Sequence, residues 1–230
     1  MRSLFYKLNG NKILGSLPDF FLNLGHKTEF AKWRQKNLKV PFNDFYNPNA
    51  SYKRRYELYD FLYASDFASG PINYFEFGVR GGDSFRWWVN RNKDTETRFY
   101  GFDTFLGLPE DWLQFKAGDM STEGKLPDIQ DPRVTFIKGL FQDTLPGFLK
   151  GFESSKRNVV LLDADLYTST LYVLTMLNPI LKAGDIICFD DFAVPAHEFL
   201  AFSNYTAAYR RNLELIGAAN NYSFTAFMVK

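Results

Sequence analysis

The sequence predicts an α/β fold, one domain built on a seven-stranded, mostly parallel sheet with an antiparallel C-terminal hairpin at one edge. Three observations predict it. From residue 73 onward, short apolar runs alternate with stretches of helical character, the pattern of strands joined by crossover helices. The strand candidates are nearly continuous in apolar residues, as strands covered on both faces must be. A length of 230 residues with 46% hydrophobic residues suffices for one medium-sized core.

In order, strands are expected at 74–79, 99–103, 134–138, 159–162 and 186–189. Helices are expected at 83–90, 140–150, 169–182 and 196–211, the third ending at Ala183-Gly184, a C-cap signal. Stretches 213–216 and 222–229, separated by a Gly/Asn-containing turn, complete the sheet as the hairpin. A helix over 54–68 precedes the first strand, and 39–52, rich in Pro and Asn, reads as a connector. The division is an N-terminal arm with a helical or lid-like region over 1–53 and the main domain over 54–230. Residues 105–133 break the economy of the chain, because they place about 29 residues between two strands where about 2 to 6 is usual. They read as a lid; the plain alternative is a solvated insertion with a short helix near 110–115.

Composition excludes several classes. The 27 Lys and Arg balance 26 Asp and Glu to a net +1, so no footprint for nucleic acid shows in the total. No apolar run approaches the roughly 20 residues of a membrane span. The stretch 1–24 interrupts its apolar residues with Arg2, Lys7, Lys12 and Asp19, unlike a signal peptide, and reads as a partly ordered arm. The single Cys188 excludes an intrachain disulfide and fits a reducing compartment, so a cytoplasmic location is expected. Trp87 and Trp88 are expected to pack rather than to stack on a ligand.

Three constellations could carry chemistry. In Phe75-Glu76-Phe77-Gly78-Val79-Arg80-Gly81-Gly82-Asp83-Ser84 a strand runs through a glycine turn into a helix start, where backbone amides are free for an anion. Its spacing departs from the dinucleotide fingerprint. Asp103 ends the next strand, about 20 residues further on, where a carboxylate grips a ribose diol in nucleotide-binding βαβ units. Turn and acid together imply adenosine. Finally, Asp163 and Asp165 end one strand, and Asp190 and Asp191 end another. Carboxylates so close repel one another and raise each other's pKa, a conflict that a divalent cation resolves. All-oxygen ligands select a hard ion, Mg²⁺ first, with Asp163, Asp190 and Asp191 as its ligands. Strand-end aspartates that merely cap helices are the plain alternative, and Asp163-x-Asp165 also reads as the DxD of a Mn²⁺-dependent nucleotide-sugar glycosyltransferase.

The succession FEFGVRGGDSFRWW, YGFDTFLGLPEDW, KGLFQDTLP, LLDADLYTSTLYVL and AGDIICFDDF resembles the macrocin O-methyltransferase family over about 74–192. The resemblance implies a Rossmann-like class I methyltransferase fold, S-adenosylmethionine and Mg²⁺ as cofactors, and methylation of a hydroxyl on a sugar or glycosylated natural product that offers vicinal hydroxyls. It implies that Glu76 and Gly78 line the methionine part of the cofactor, Ser84 its carboxylate, Asp103 the ribose, and Phe141 with Gln142 the adenine. Asp163, Asp190 and Asp191 would hold the metal. In the similar catechol O-methyltransferase group a lysine three residues after the first metal ligand is the base; here Leu166 stands there. The candidates for base are therefore Asp163 and Asp165, which share one side of an extended strand. His197, just past the metal loop, is a weaker candidate for substrate contact or proton relay. Family members associate, and the aromatic content points to a homo-oligomer. A cofactor-binding protein that has lost methyl transfer is the non-enzymatic alternative.

Overall fold

In the computed structural model, the described residues are Phe5, 7–153 and 155–230. The helices are α1 (Gly10–Leu14), α2 (Leu17–Lys36), α3 (Arg55–Ala64), α4 (Asp83–Arg91), α5 (Phe141–Leu149), α6 (Tyr167–Leu177) and α7 (Glu198–Tyr209), with a single 3₁₀ turn at Tyr52–Arg54. The strands are β1 (Phe42–Asn43), β2 (Ile72–Phe77), β3 (Arg98–Asp103), β4 (Val134–Lys138), β5 (Arg157–Leu162), β6 (Ile186–Phe189), β7 (Leu213–Ala219) and β8 (Phe224–Val229).

They form one sheet in the order β1-β7-β8-β6-β5-β2-β3-β4. Only β8 runs antiparallel, pairing with both β6 and β7. The expected seven strands are therefore eight. The addition is β1, two residues inside the supposed connector, paired in parallel with β7 through Phe42↔Gly217 and Asn43↔Ala218. Glycine serves that crowded region: a Cβ on Gly217 would lie 2.5 Å from Leu58 Cδ1.

Two helices end earlier than expected. Helix α6 stops at Leu177 rather than near 182, because Pro179 has no amide hydrogen to continue the ladder after Asn178. Helix α3 stops at Ala64, where Ser65 caps it and Asp66 turns to φ +58°. In the segment 105–133, residues 110–115 form a tight turn bridged between Trp112 and Phe115, not a helix.

Alternate residues of β2 serve the two faces of the sheet, as the period of two requires. Phe75 and Phe77 pack with Val160, Leu162, Val173 and Leu174 towards α5–α7. Ile72 and Tyr74 pack with Leu58, Tyr59, Phe85 and Trp88 towards α3 and α4. Trp88 is buried and Trp87 stacks on Tyr56 at 6.1 Å, both as packing residues. Because the chain passes from β2 to β3 and β4 and then returns to β5 on β2's other side, the strand order reverses between β2 and β5. At such a switch point the loops at the C-terminal ends of the strands diverge and leave a crevice for ligands.

Candidate active site

The glycine turn and the first aspartate pair meet at that crevice. Gly78 has φ +94°, and a Cβ there would stand 1.8 Å from the Asp163 carbonyl oxygen, so only glycine lets the two strand ends close together. Asp103 ties the turn down: one oxygen accepts from Val79 and Arg80 N–H at 2.7 Å each, the other from Phe105 N–H at 2.6 Å. Three of about four lone-pair sites are engaged, which leaves one for an outside donor.

Glu76, fully buried, lies beneath the turn. It accepts hydrogen bonds from Tyr74 OH and, at 2.7 Å, from Ser84 Oγ. Burial pushes its pKa up to about 8 against the opposing effect of those bonds. The Ser84 hydroxyl lies in the β2–α4 interface and gives its hydrogen to Glu76. Phe141 sets its ring edge-on to Phe77 at 5.4 Å, and Gln142 beside it is exposed.

The four aspartates gather at the tips of β5 and β6, but not in the arrangement expected. One carboxylate oxygen from each of Asp163, Asp165 and Asp191 lies within 4.8 Å of the others. Asp190 instead receives Arg55 of α3 at 2.9 Å, and the same guanidinium reaches Asp163 at 3.4 Å. The trio suited to one ion is therefore Asp163, Asp165 and Asp191, whereas Asp190 faces an internal cation. Its other oxygen, Oδ1, is buried without a hydrogen-bond partner.

The electrostatics record the crowding. Burial raises the Asp163 pKa to about 6 although Arg55 opposes the shift. Burial and then the charge of Asp163 raise Asp165 to about 9. Asp165 also forms a hydrogen-bonded carboxyl pair with Asp191, whose pKa burial raises as well. Asp165 is held at φ +59°, a conformation uncommon outside Gly, Asn and Asp, which folds the loop back after the strand. Burial and the Asp163 charge hold Asp190 well above the usual carboxylate range. Crowding of this kind is what a divalent cation would relieve, and an oxygen-only set fits a hard ion.

Sequence reasoning missed Arg55 and Glu198. Glu198 is fully buried and accepts from the Asp191 N–H at 2.9 Å, fixing the loop after β6; its other oxygen has no partner. In sequence it reads as an ordinary acid in the first turn of a helix. Arg55 gives no local signal either, since an Arg-Arg pair at a helix start reads as solvated. His197 Nδ1 accepts from the Tyr167 N–H at 3.4 Å, and burial lowers its pKa, so it stands neutral at the mouth.

The 105–133 segment spans the crevice. Glu110 accepts from Thr168 Oγ1 at 2.7 Å, and Trp112 lies edge-on to His197 at 6.4 Å. At the other end Pro127 packs on Gly82, and Arg86 donates to the Asp128 carbonyl at 3.2 Å. A shallow cavity of about 400 Å³, lined in part by Ser69, Arg157 and Lys182, opens at the opposite edge of the sheet and holds none of the clustered carboxylates.

The fold and the site at its switch point define a class I O-methyltransferase fold. The solved structure of the calicheamicin methyltransferase CalS11 superposes with a TM-score of 0.55, at 20% identity over 76% of each chain. Residues 120–218 match the family model described as macrocin-O-methyltransferase. A relative from Streptomyces olivaceus, 8-demethyl-8-(2,3-dimethoxy-alpha-L-rhamnosyl)-tetracenomycin-C 4'-O-methyltransferase, is 33% identical over 147 residues, 55% of each chain. Mycinamicin III 3''-O-methyltransferase of Micromonospora griseorubida is 32% identical over 103 residues, 45% of this chain and 37% of the relative. The alignments thus span about half the length of the first relative and less of the second.

Proposed function

We propose that the protein is an S-adenosylmethionine-dependent O-methyltransferase that uses a divalent cation, Mg²⁺ first, to methylate a hydroxyl of a sugar or glycosylated natural product in the cytoplasm. The observation that carries this is the convergence of Asp163, Asp165 and Asp191 within 4.8 Å beside a glycine turn closed by Asp103. Both relatives are named as O-methyltransferases, and the first name prints a rhamnosyl group.

The cofactor supplies the methyl group, and a bound divalent ion lowers the pKa of a chelated hydroxyl. The chain supplies alignment and proton transfer. Asp163, Asp165 and Asp191 would hold the ion, and Glu198 fixes the Asp191 backbone that presents one of them. Arg55 keeps Asp190 turned aside as a positioning group. The glycine turn, Asp103, Glu76, Phe141 and Gln142 would form the adenosyl side of the crevice. Asp163 or Asp165 takes the hydroxyl proton, since both lie in the cluster and Leu166 offers no amine. The 105–133 segment, fastened at Thr168 and Gly82, keeps water from the crevice.

The glycosyltransferase reading gives Asp191 no task and does not fit the observed fold class. Thermal shift with S-adenosylhomocysteine against UDP separates the two. A ligand at about 100 times its dissociation constant adds about 2.7 kcal/mol, so the former should raise the melting temperature and the latter should not. A shift with UDP alone would overturn the proposal.

A further inference from the structure

The N-terminal helix α2 has two halves with different fates. At 3.6 residues per turn, Phe30 and Trp33 point to one side, and there they dock. Trp33 meets Phe192, the residue after Asp191, at 5.0 Å, and Phe30 meets Phe199 at 5.2 Å. In the N-terminal half Leu22 is exposed although it lies on the side of Trp33, and Leu17, Phe20, Phe21 and Leu24 form an apolar stripe on the opposite side at i, i+3, i+4 and i+7. They are 53%, 61%, 63% and 51% exposed. Exposed Lys27 and Lys32 flank the continuation of that stripe, with Lys32 also paired to Glu29 at 2.8 Å.

Charge identifies what covers such a face. Residues 1–36 carry seven Lys and Arg against two acids, a net +5, whereas the rest of the chain carries 20 against 24, a net −4. A twofold dimer made by pairing these arms would set two such segments against each other, because an isologous interface brings like to like. An apolar stripe flanked by cations instead fits the boundary between anionic headgroups and acyl chains. No helix among the described residues is long and apolar enough to cross a membrane, so this contact lies in the surface plane.

We propose that the exposed stripe of α2 binds the surface of an anionic lipid bilayer. The docked half of the same helix braces the loop that carries Asp191, so the crevice is held beside that surface. On the methyl-transfer reading, this arrangement suits an acceptor saccharide carried by a lipid.

Co-sedimentation tests the surface without reference to activity. Vesicles of phosphatidylcholine with about 30% phosphatidylglycerol should retain the protein at least tenfold better than phosphatidylcholine alone, and about 0.5 M NaCl should weaken the binding. Phe20→Ser/Phe21→Ser/Leu24→Ser should bind at least about tenfold less with an unchanged melting temperature, since these side chains are exposed. Lys27→Glu/Lys32→Glu should lose the preference for the anionic lipid. Two results would overturn the proposal: no binding by the wild type, or equal binding by the triple-serine variant. A lipid-free dimer dissociated by that variant would overturn it too, assigning the face to a second copy. None of these outcomes bears on methyl transfer, so the two readings stand or fall separately.

Discussion

Replacing Arg55 by Ala removes a buried cation from Asp190, 2% exposed, and from Asp163, 24% exposed. Deleting one partner of a buried ion pair typically costs about 3–5 kcal/mol, because the other charge is left behind. The lower end applies here. The Asp163 contact is the longer one at 3.4 Å, and the abandoned carboxyls can take up protons, Asp163 already titrating near about 6. With an unfolding entropy of about 2.1 cal/mol/K per residue, 230 residues give about 0.5 kcal/mol/K, so a loss of about 3 kcal/mol lowers the melting temperature by about 6 °C. Circular dichroism melts in EDTA should show this drop at pH 7.5 and a smaller one at pH 6, where Asp163 is half protonated. Saturating Mg²⁺ should recover much of the loss. An unchanged melting temperature would refute the pairing. A drop that neither pH nor Mg²⁺ moves would mean that Arg55 contributes only packing against Tyr52 and Phe224.

The other predictions concern the same crevice. Asp163→Asn and Asp191→Asn should each abolish metal binding and turnover while S-adenosylhomocysteine affinity, read by calorimetry, stays within a few fold; retained Mg²⁺ dependence would contradict the trio. Glu76 and Asp165 have folded pKa values of about 8 and about 9, above their unfolded values, so the folded state holds protons that the unfolded chain has already released. Metal-free stability should therefore fall as pH rises from about 5 to about 9, by up to about 1.4 kcal/mol per unit for each group, and Glu76→Gln should flatten that slope. Gly78→Ala should prevent folding or displace the β5 tip, since its methyl would overlap the Asp163 carbonyl; soluble yield and the cofactor-induced melting shift measure this. Glu110→Ala, which frees one end of the 105–133 segment from Thr168, should raise its amide exchange at least severalfold with little change in global stability.

Much of this architecture was legible in the residues. Ile186–Phe189 is a continuous apolar run, Val134–Lys138 mixes Val, Phe and Ile with Thr and Lys, and both strands fall where the pattern places them. The gathering of four aspartates was legible as well, because neighbouring parallel strands end at one edge. What was not legible depended on partners distant in sequence. β1 is a strand only because β7 offers an edge about 175 residues away. Which aspartates form the trio was decided by Arg55, 108 residues before Asp163, which turns Asp190 aside. Nothing local shows that Glu76 lies buried beneath Ser84 and takes its hydroxyl hydrogen.

Manganese bound per chain, counted by electron paramagnetic resonance in the presence of S-adenosylhomocysteine, tests the central claim most directly. One ion per wild-type chain, lost in Asp163→Asn and in Asp191→Asn, is the predicted result. No bound ion, or an ion that survives both substitutions, would contradict a metal centre built from these carboxylates.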